Sequence, residues 1–344
     1  SQAAATGLQL FSTATDDNRL ELSLRRVPVP TPGAEEVVVR IEATPLNPSD
    51  LGLLLSAADP ASFKVSGSGD QPVTTGTIPP ELARVVAARK GKSMPVGNEA
   101  AGTVVKAGES AAAQALLGKT VAIAGGAMYT QYRLVKARDC LVLPEGATAE
   151  QGASSFVNPM TALAMVSVLR HAGEKALVHT AAASNLGQML LKLCQAEGIP
   201  LVNIVRSEEQ VALLRSLGAT HVCNSSSAEF MRELIAAITE TGAFLAFDAI
   251  GGGPLAGQIL IAMEAAATAR MPGFSVYGST QHKQVYLYGR LDSSPTQLTG
   301  GFGFAWGVAG WLLTPYLQRL GAEEVASMRR RVAENLRTIF ASHY

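Results

Sequence analysis

The sequence predicts an α/β protein in two parts: a mostly β N-terminal part, followed by a doubly wound parallel sheet. Three observations predict this. Before about residue 150, short apolar runs are punctuated by glycine, proline and charge. After Gln151, apolar runs alternate with stretches of helical spacing. The 344 residues also exceed what one ordinary core organises.

In the N-terminal part, Val27 to Gly33 carries proline at every second position and reads as an extended edge segment. Glu36 to Glu42 alternates, with Val37, Val39 and Ile41 on one face. Gly102 to Val105, Thr120 to Ala124 and Gln131 to Val135 read as further strands of a small, partly open barrel. Ser66 to Ile78 is a polar, Gly-rich loop. Pro79 and Pro80 then lead into a predicted helix over Glu81 to Lys92. In the second part the predicted strands are Ala176 to Thr180, Leu201 to Val205, His221 to Cys223, Phe244 to Ala249 and Phe274 to Gly278. The helix after the first places Leu186, Leu190, Leu193 and Cys194 on one face, and the next offers Val211, Leu214 and Leu217.

Composition narrows the function classes. Hydrophobic residues make up 47% and charged residues 16%, so a large core is expected and disorder is not. The formal net charge is +0, and no basic block argues for nucleic acid or a membrane surface. Apolar stretches such as Gly303 to Leu313 read as too short or too Gly-broken to span a bilayer, and no signal peptide is read at the N-terminus. Cys140, Cys194 and Cys223 are far apart and outside any C-x-x-C pattern, which fits buried small hydrophobes in a reducing cytoplasm. The five histidines show no metal spacing.

Val178 to Gln188 is the informative junction: a strand ends, small residues turn the chain, and a helix begins. A helix N-terminus offers N–H groups and a positive dipole end to a pyrophosphate, and small residues let the backbone approach it. Against G-x-G-x-x-G only Gly187 matches, since Ala182 and Ser184 stand where the first two glycines would be. A tight turn without nucleotide is the alternative. Arg206 and Ser207 follow the second strand directly, where an acid would hold the ribose diol of NAD. A guanidinium there suits the 2′-phosphate of NADP instead, the alternative being a solvated surface arginine. Glu208 and Glu209 nearby suit the start of the next helix.

Asn47-Pro48-Ser49-Asp50, Gly97-Asn98-Glu99-Ala100-Ala101-Gly102 and Asn158-Pro159-Met160-Thr161-Ala162 occur in order. With Ala181-x-x-Ser184-x-x-Gly187 and Ala246 to Gly252, they resemble the medium-chain dehydrogenase/reductase superfamily, in its zinc-free quinone reductase and enoyl reductase branches. The resemblance runs from about Glu36 to Gly278. It implies a GroES-like catalytic domain over residues 1–150 and a Rossmann domain over 151–318. Residues 319–344 would begin a return to the catalytic domain, expected to be incomplete. It also implies NADPH in a cleft between domains, hydride transfer to a quinone or activated alkene, and a homodimer.

By family position, Asn47 approaches the acceptor or nicotinamide, and Asn158 and Thr161 line the same site. Ala182, Ala183, Ser184, Asn185, Leu186 and Gly187 hold the pyrophosphate. Ile250, Gly278 and Ser279 border the nicotinamide. Asn47 and Asn158 also read as ordinary Asn-Pro turn residues. The positions that ligate zinc in the metal-dependent branch read Asn47, Asn98 and Asn158, and carboxamides are poor zinc ligands, so no zinc is expected.

The chain departs from the pattern in several places. Ala58 stands where enoyl reductases carry a tyrosine proton donor. Tyr129 is the candidate substitute, with Tyr132 behind it, although both also read as strand aromatics. Asn224-Ser225 replaces a tyrosine near the adenosine phosphate. The segment between Asp50 and Gly97 is longer than usual, and Arg84, Arg89, Lys90 and Lys92 there either meet an anionic acceptor or form a solvated face. Phe302, Phe304 and Trp306 either line the acceptor pocket or serve as core or dimer contacts. The expected function is an NADPH-dependent quinone reductase. The alternatives are a 2-enoyl thioester or acrylate reductase, or an NADPH-binding protein with little turnover.

Overall fold

The computed structural model describes residues 5–343, which form two compact units. The first comprises residues 5–157 and Arg329–Ser342; the second is Asn158–Met328 with His343.

The first unit contains strands β1 (Thr6–Ala14), β2 (Arg19–Pro28) and β3 (Glu36–Ala43), helix α1 (Pro48–Leu54), and strands β4 (Lys64–Ser66), β5 (Val73–Thr77), β6 (Ser93–Pro95) and β7 (Glu99–Ala107). Helix α2 (Ala111–Gln114), strands β8 (Thr120–Ala124), β9 (Tyr132–Lys136) and β10 (Leu141–Val142), and helix α3 (Ala149–Gly152) follow. They build two five-stranded antiparallel sheets, ordered β4-β5-β2-β1-β6 and β10-β8-β7-β3-β9. Strand β3 lies between β7 and β9, and Val37, Val38 and Val39 are all fully buried rather than alternating. Burying such a side chain is worth roughly 1.5–3 kcal/mol. Val37 and Val39 pack with Val104, Val121, Ile123 and Met128.

Residues 81–92 do not form the helix predicted there. They make two short 3₁₀ turns, Pro80–Val85 and Ala87–Arg89. Val86 is buried with Ala14, Leu20 and Ile78, and Arg89 reaches the carbonyls of Leu53 and Ser12, so tertiary contacts override helical spacing. Lys90 donates to Asn18 and Lys92 to the Ala88 carbonyl, which commits three of the four basic groups of this segment locally.

Helix α4 (Val157–His171) leads into the second unit. Residues 149–171 are long and apolar enough to cross a membrane, a length the apolar runs did not reveal. Most of that stretch is buried, as in the core helix of a globular fold. The second unit continues with β11 (Leu177–His179), α5 (Asn185–Glu197), β12 (Leu201–Val205), α6 (Glu208–Ser216), β13 (His221–Asn224), α7 (Phe230–Thr241) and β14 (Leu245–Asp248). Then come β15 (Gly251–Gly253), α8 (Leu255–Thr268), β16 (Lys283–Leu287), β17 (Asp292–Thr296), β18 (Trp306–Gly310), α9 (Leu313–Arg319) and α10 (Ala322–Glu334).

Six of these strands form one parallel sheet ordered β13-β12-β11-β14-β16-β18, the Rossmann order in which connections reverse beside the first strand. Val178, Val202, Ile204, Ala246 and Val285 pack one face against α7 and α8. The remaining pair, β15 and β17, forms a two-stranded parallel sheet.

The fifth strand is Lys283–Leu287, not Phe274 to Gly278. Phe274, Val276 and Tyr277 are among the most exposed apolar residues, on the connection from α8. Lys283 opens the true strand fully buried, because its ammonium meets Glu264 of α8 at 2.7 Å and the Gln281 carbonyl at 2.8 Å. The chain also returns to the first unit. Leu336 packs with Ala101, Ala122 and Leu143, and Arg329 and Arg337 donate to the carbonyls of Asp139 and Glu145.

Candidate functional site

In the second unit, β11 ends and the chain turns through Thr180 to Ser184 into α5. Ala181 takes a left-handed φ of 48°, and the Ala182 amide donates to the Ile204 carbonyl, fixing the turn beside β12. Ser184 caps α5 by accepting from the Gly187 amide at 3.1 Å. Gly187 is required by space. A Cβ there would stand 2.1 Å from the Ala182 carbonyl oxygen, so only glycine lets the helix pack this closely on its turn. Ala182, Leu186 and Gly187 are buried, while Ala183, Ser184 and Asn185 lie nearer the surface.

At the end of β12, Arg206 is exposed, and no acid pairs with it among the described residues. Glu208 is held by Asn224 Nδ2 at 2.8 Å, and the Ser226 hydroxyl donates to the Arg206 carbonyl. Ser207 is committed as the N-cap of α6, accepting from the Gln210 amide.

The end of β14 is tied to the end of β11. The buried Asp248 carboxylate accepts from the Thr180 hydroxyl at 2.6 Å and from the amides of Ile250 and Gly251 at 2.9 and 3.1 Å. Ile250 is thereby fixed through its backbone. Gly278 and Ser279 are not brought to this place. They belong to the connection from α8, where Ser279 donates from its amide and hydroxyl to Glu264. Tyr288 and Gly289 stand at the end of the fifth strand instead: the Tyr288 amide donates to the Asp248 carbonyl, and Gly289 lies against Ala249. The Tyr288 hydroxyl lies 2.6 Å from Nε2 of His179, whose burial pushes it down to about 3 and keeps it neutral. Phe302 is buried against Trp306, which opens β18, whereas Phe304 is exposed. Asn158 is half-buried in the first turn of α4, and Thr161 is buried one turn later.

The first unit holds a separate polar cluster. Asn47 is the N-cap of α1, and its amide donates to Asp50 Oδ2 at 2.8 Å. Asp50 Oδ1 accepts from the Asn98 amide, and Asn98 Nδ2 donates to the Ser49 hydroxyl. Asn47 Nδ2 donates to Glu99 Oε1 at 2.8 Å, and Glu99 Oε2 accepts from the Phe156 and Val157 amides at 2.8 and 3.0 Å. Burial raises the Glu99 carboxyl to about 7, against these hydrogen bonds and with help from the Asp50 charge. The Tyr129 hydroxyl donates to the Pro45 carbonyl at 2.9 Å. Burial foremost, and then the Asp50 charge, lifts its phenol well above the ordinary tyrosine value. A phenol so placed is a poor proton donor. Ala58 is packed in the core with Ile78 and Val86.

Sequence reasoning assigned no role to Glu99, Asp248 or Tyr288. The available signal was a charge at the edge of an apolar strand, as in Glu99-Ala-Ala-Gly and Ala-Phe-Asp248.

The family described as zinc-binding dehydrogenase matches residues 186–292, a span that contains none of Asn47, Asn98 and Asn158. A mitochondrial enoyl-[acyl-carrier-protein] reductase of Xenopus tropicalis is 28% identical over 208 residues, covering 58% of this chain and 51% of that protein. Prostaglandin reductase-3 of Mus musculus is 25% identical over 233 residues, covering 67% and 54%. The chain thus spans about half the length of these curated relatives. Among solved structures, a protein of Mesorhizobium loti designated an NADPH:quinone reductase superposes with a TM-score of 0.71 at 25% identity, over 98% of this chain and 90% of that one. A mutant enoyl thioester reductase of Candida tropicalis superposes at 0.68 with 20% identity, over 99% and 91%, and shows the fold. The strand order, the Gly187 turn and these likenesses together support a place in the medium-chain dehydrogenase/reductase superfamily.

Proposed function

We propose that this chain is an NADPH-dependent, zinc-independent reductase of quinones or related conjugated carbonyls. The observation that carries the reading is the pairing of an unpartnered Arg206 with a Glu208 already held by Asn224. The acid that follows the strand most closely, Glu208, is thus already engaged, and a cation suited to a 2′-phosphate is present. The turn fits a dinucleotide: Gly187 gives the close approach, and α5 directs its N-terminal dipole toward the pyrophosphate position. NADPH, when bound, supplies the hydride. Ala182 to Gly187 and Arg206 would hold its phosphates, and the Asp248-pinned backbone at Ile250 would border its nicotinamide end. Asn47, aligned by Glu99, would face the acceptor oxygen.

The quinone preference rests on the missing donor. Tyr129 is committed to Pro45 and Ala58 lies in the core, so neither is offered as a proton donor, and protons taken from water suit a reduced quinone. The carboxamides of Asn47, Asn98 and Asn158 are weak zinc ligands, and Asn47 and Asn98 are engaged with Glu99 and Ser49. A second reading, reduction of 2-enoyl thioesters, is favoured by the names of the relatives above. We place the protein in the cytoplasm, where its three free thiols stay reduced, and expect a homodimer.

Loss of reduced-nicotinamide absorbance tests the reading, with benzoquinone, phenanthrenequinone and a crotonyl thioester offered separately. Quinone turnover preferring NADPH over NADH is the expected result. Turnover of the thioester alone selects the second reading. NADPH binding without turnover on any acceptor overturns both and leaves a binding protein.

A further inference from the structure

Glu99 is 1% exposed and each of its oxygens is spoken for. Oε2 accepts two main-chain amides, Phe156 and Val157, which donate at every pH. The carboxyl proton therefore has one place to reside, Oε1, and Oε1 faces Asn47. A carboxamide has a donor end and an acceptor end, exchanged by a half-turn of the group. An ionised Glu99 requires the donor end, the arrangement observed. A protonated Glu99 donates from Oε1 and requires the acceptor end. The rest of Asn47 is held, because its backbone amide is bonded to Asp50, itself fixed by Asn98.

We propose that Glu99 is a positioning residue that sets which end of the Asn47 carboxamide is turned away from it, the carbonyl when Glu99 is a carboxylate and the amino group when it is an acid. The titratable groups facing it are Asp50 from α1 and Tyr129 from the loop before β9. Burial places the exchange near neutrality, at about 7. The consequence for catalysis rests on the reading of Asn47 given above. The amino end stabilises charge growing on an acceptor oxygen and the carbonyl end opposes it, so the acid form is the active one.

The test uses the full chain labelled with ¹⁵N-asparagine. The Asn47 side-chain signal is identified by its loss in Asn47→Ser or Asn47→Asp. In the wild type this signal shifts with one midpoint near pH 7. In Glu99→Gln, which keeps the shape and hydrogen bonds of the acid, it sits at the wild-type low-pH position and does not move. A signal that fails to titrate in the wild type, or titrates equally in Glu99→Gln, overturns the proposal. The rate of NADPH oxidation should fall about tenfold per pH unit above the midpoint in the wild type and stay flat in Glu99→Gln. An Asn47 titration without turnover on any acceptor sinks the functional reading and leaves the Glu99 switch standing. Turnover with no titration does the reverse.

Discussion

Replacing Gly187 by alanine tests the link between local packing and nucleotide binding. The added Cβ would lie 2.1 Å from the Ala182 oxygen, 2.5 Å from its carbonyl carbon and 2.8 Å from its Cα. All three are backbone atoms, so no side chain can swing aside. Reaching ordinary contact requires the N-terminus of α5 or the turn to move by about 1 Å, and overpacking of this kind costs roughly 1–3 kcal/mol. For a unit of this size that lowers the thermal midpoint by about 2–4 °C per kcal/mol. The same displacement takes one or two amides away from the pyrophosphate. Each charge-assisted hydrogen bond is worth about 1.5–3 kcal/mol, so NADPH affinity should fall at least tenfold. Calorimetric titration with NADPH and a thermal melt read both effects, and Gly273→Ala, whose Cβ meets nothing, is the control. Retention of the wild-type midpoint and affinity in Gly187→Ala would refute both the close packing and its role in binding.

Arg206→Ala should weaken NADPH about tenfold to a hundredfold and NADH by less than about threefold, measured by fluorescence titration; equal losses sink the 2′-phosphate assignment. Glu99 carries a raised carboxyl value, about 7 against an ordinary 4.5, so the stability it contributes is full below about pH 4.5 and is lost as pH rises through 7. That amounts to about 3 kcal/mol. Glu99→Gln should therefore melt above the wild type at about pH 8, with the gap closing by about pH 5; a pH-independent gap contradicts the linkage. Lys283→Met strands the Glu264 carboxylate in the interior and should cost about 3–5 kcal/mol in urea unfolding. Lys283→Met with Glu264→Gln should recover much of that, and simple additivity would deny the coupling. Tyr129→Phe should keep turnover within about threefold, since its hydroxyl serves Pro45 at a net worth of about 1 kcal/mol; a hundredfold loss would make it the proton donor.

What could be read in advance follows from the range of the forces involved. Thr120–Ala124 and Leu201–Val205 are short, mostly apolar runs closed by turn residues or charge, Asn203 being the one polar residue inside the second, and their bounds are those of the structure. The turn before Gly187 was legible because its chemistry lies within eleven consecutive residues. The fifth strand was not. Phe274 to Gly278 carries the apolar signature, while the true strand opens on a lysine whose partner, Glu264, lies on the preceding helix. Nothing local distinguishes a solvated lysine from one neutralised across such a distance. The nicotinamide role assigned to Gly278 and Ser279 inherited that error. Arg89 misled in the opposite sense, since its charge suggested surface helix whereas its guanidinium is spent on main-chain carbonyls. Glu99 was visible as part of a motif, but its bonds to Asn47, Phe156 and Val157 are long-range and leave no periodic trace.

The return of Arg329–Ser342 to the first unit orders events during synthesis. The second unit is nearly continuous in sequence and can complete its sheet as soon as α9 has emerged. The first unit cannot finish then, because Leu336 fills a place among Ala101, Ala122 and Leu143 that stays uncovered while the entire second unit is being translated. A nascent chain paused before Leu336 should accordingly present one folded, protease-resistant body trailing a chaperone-dependent one.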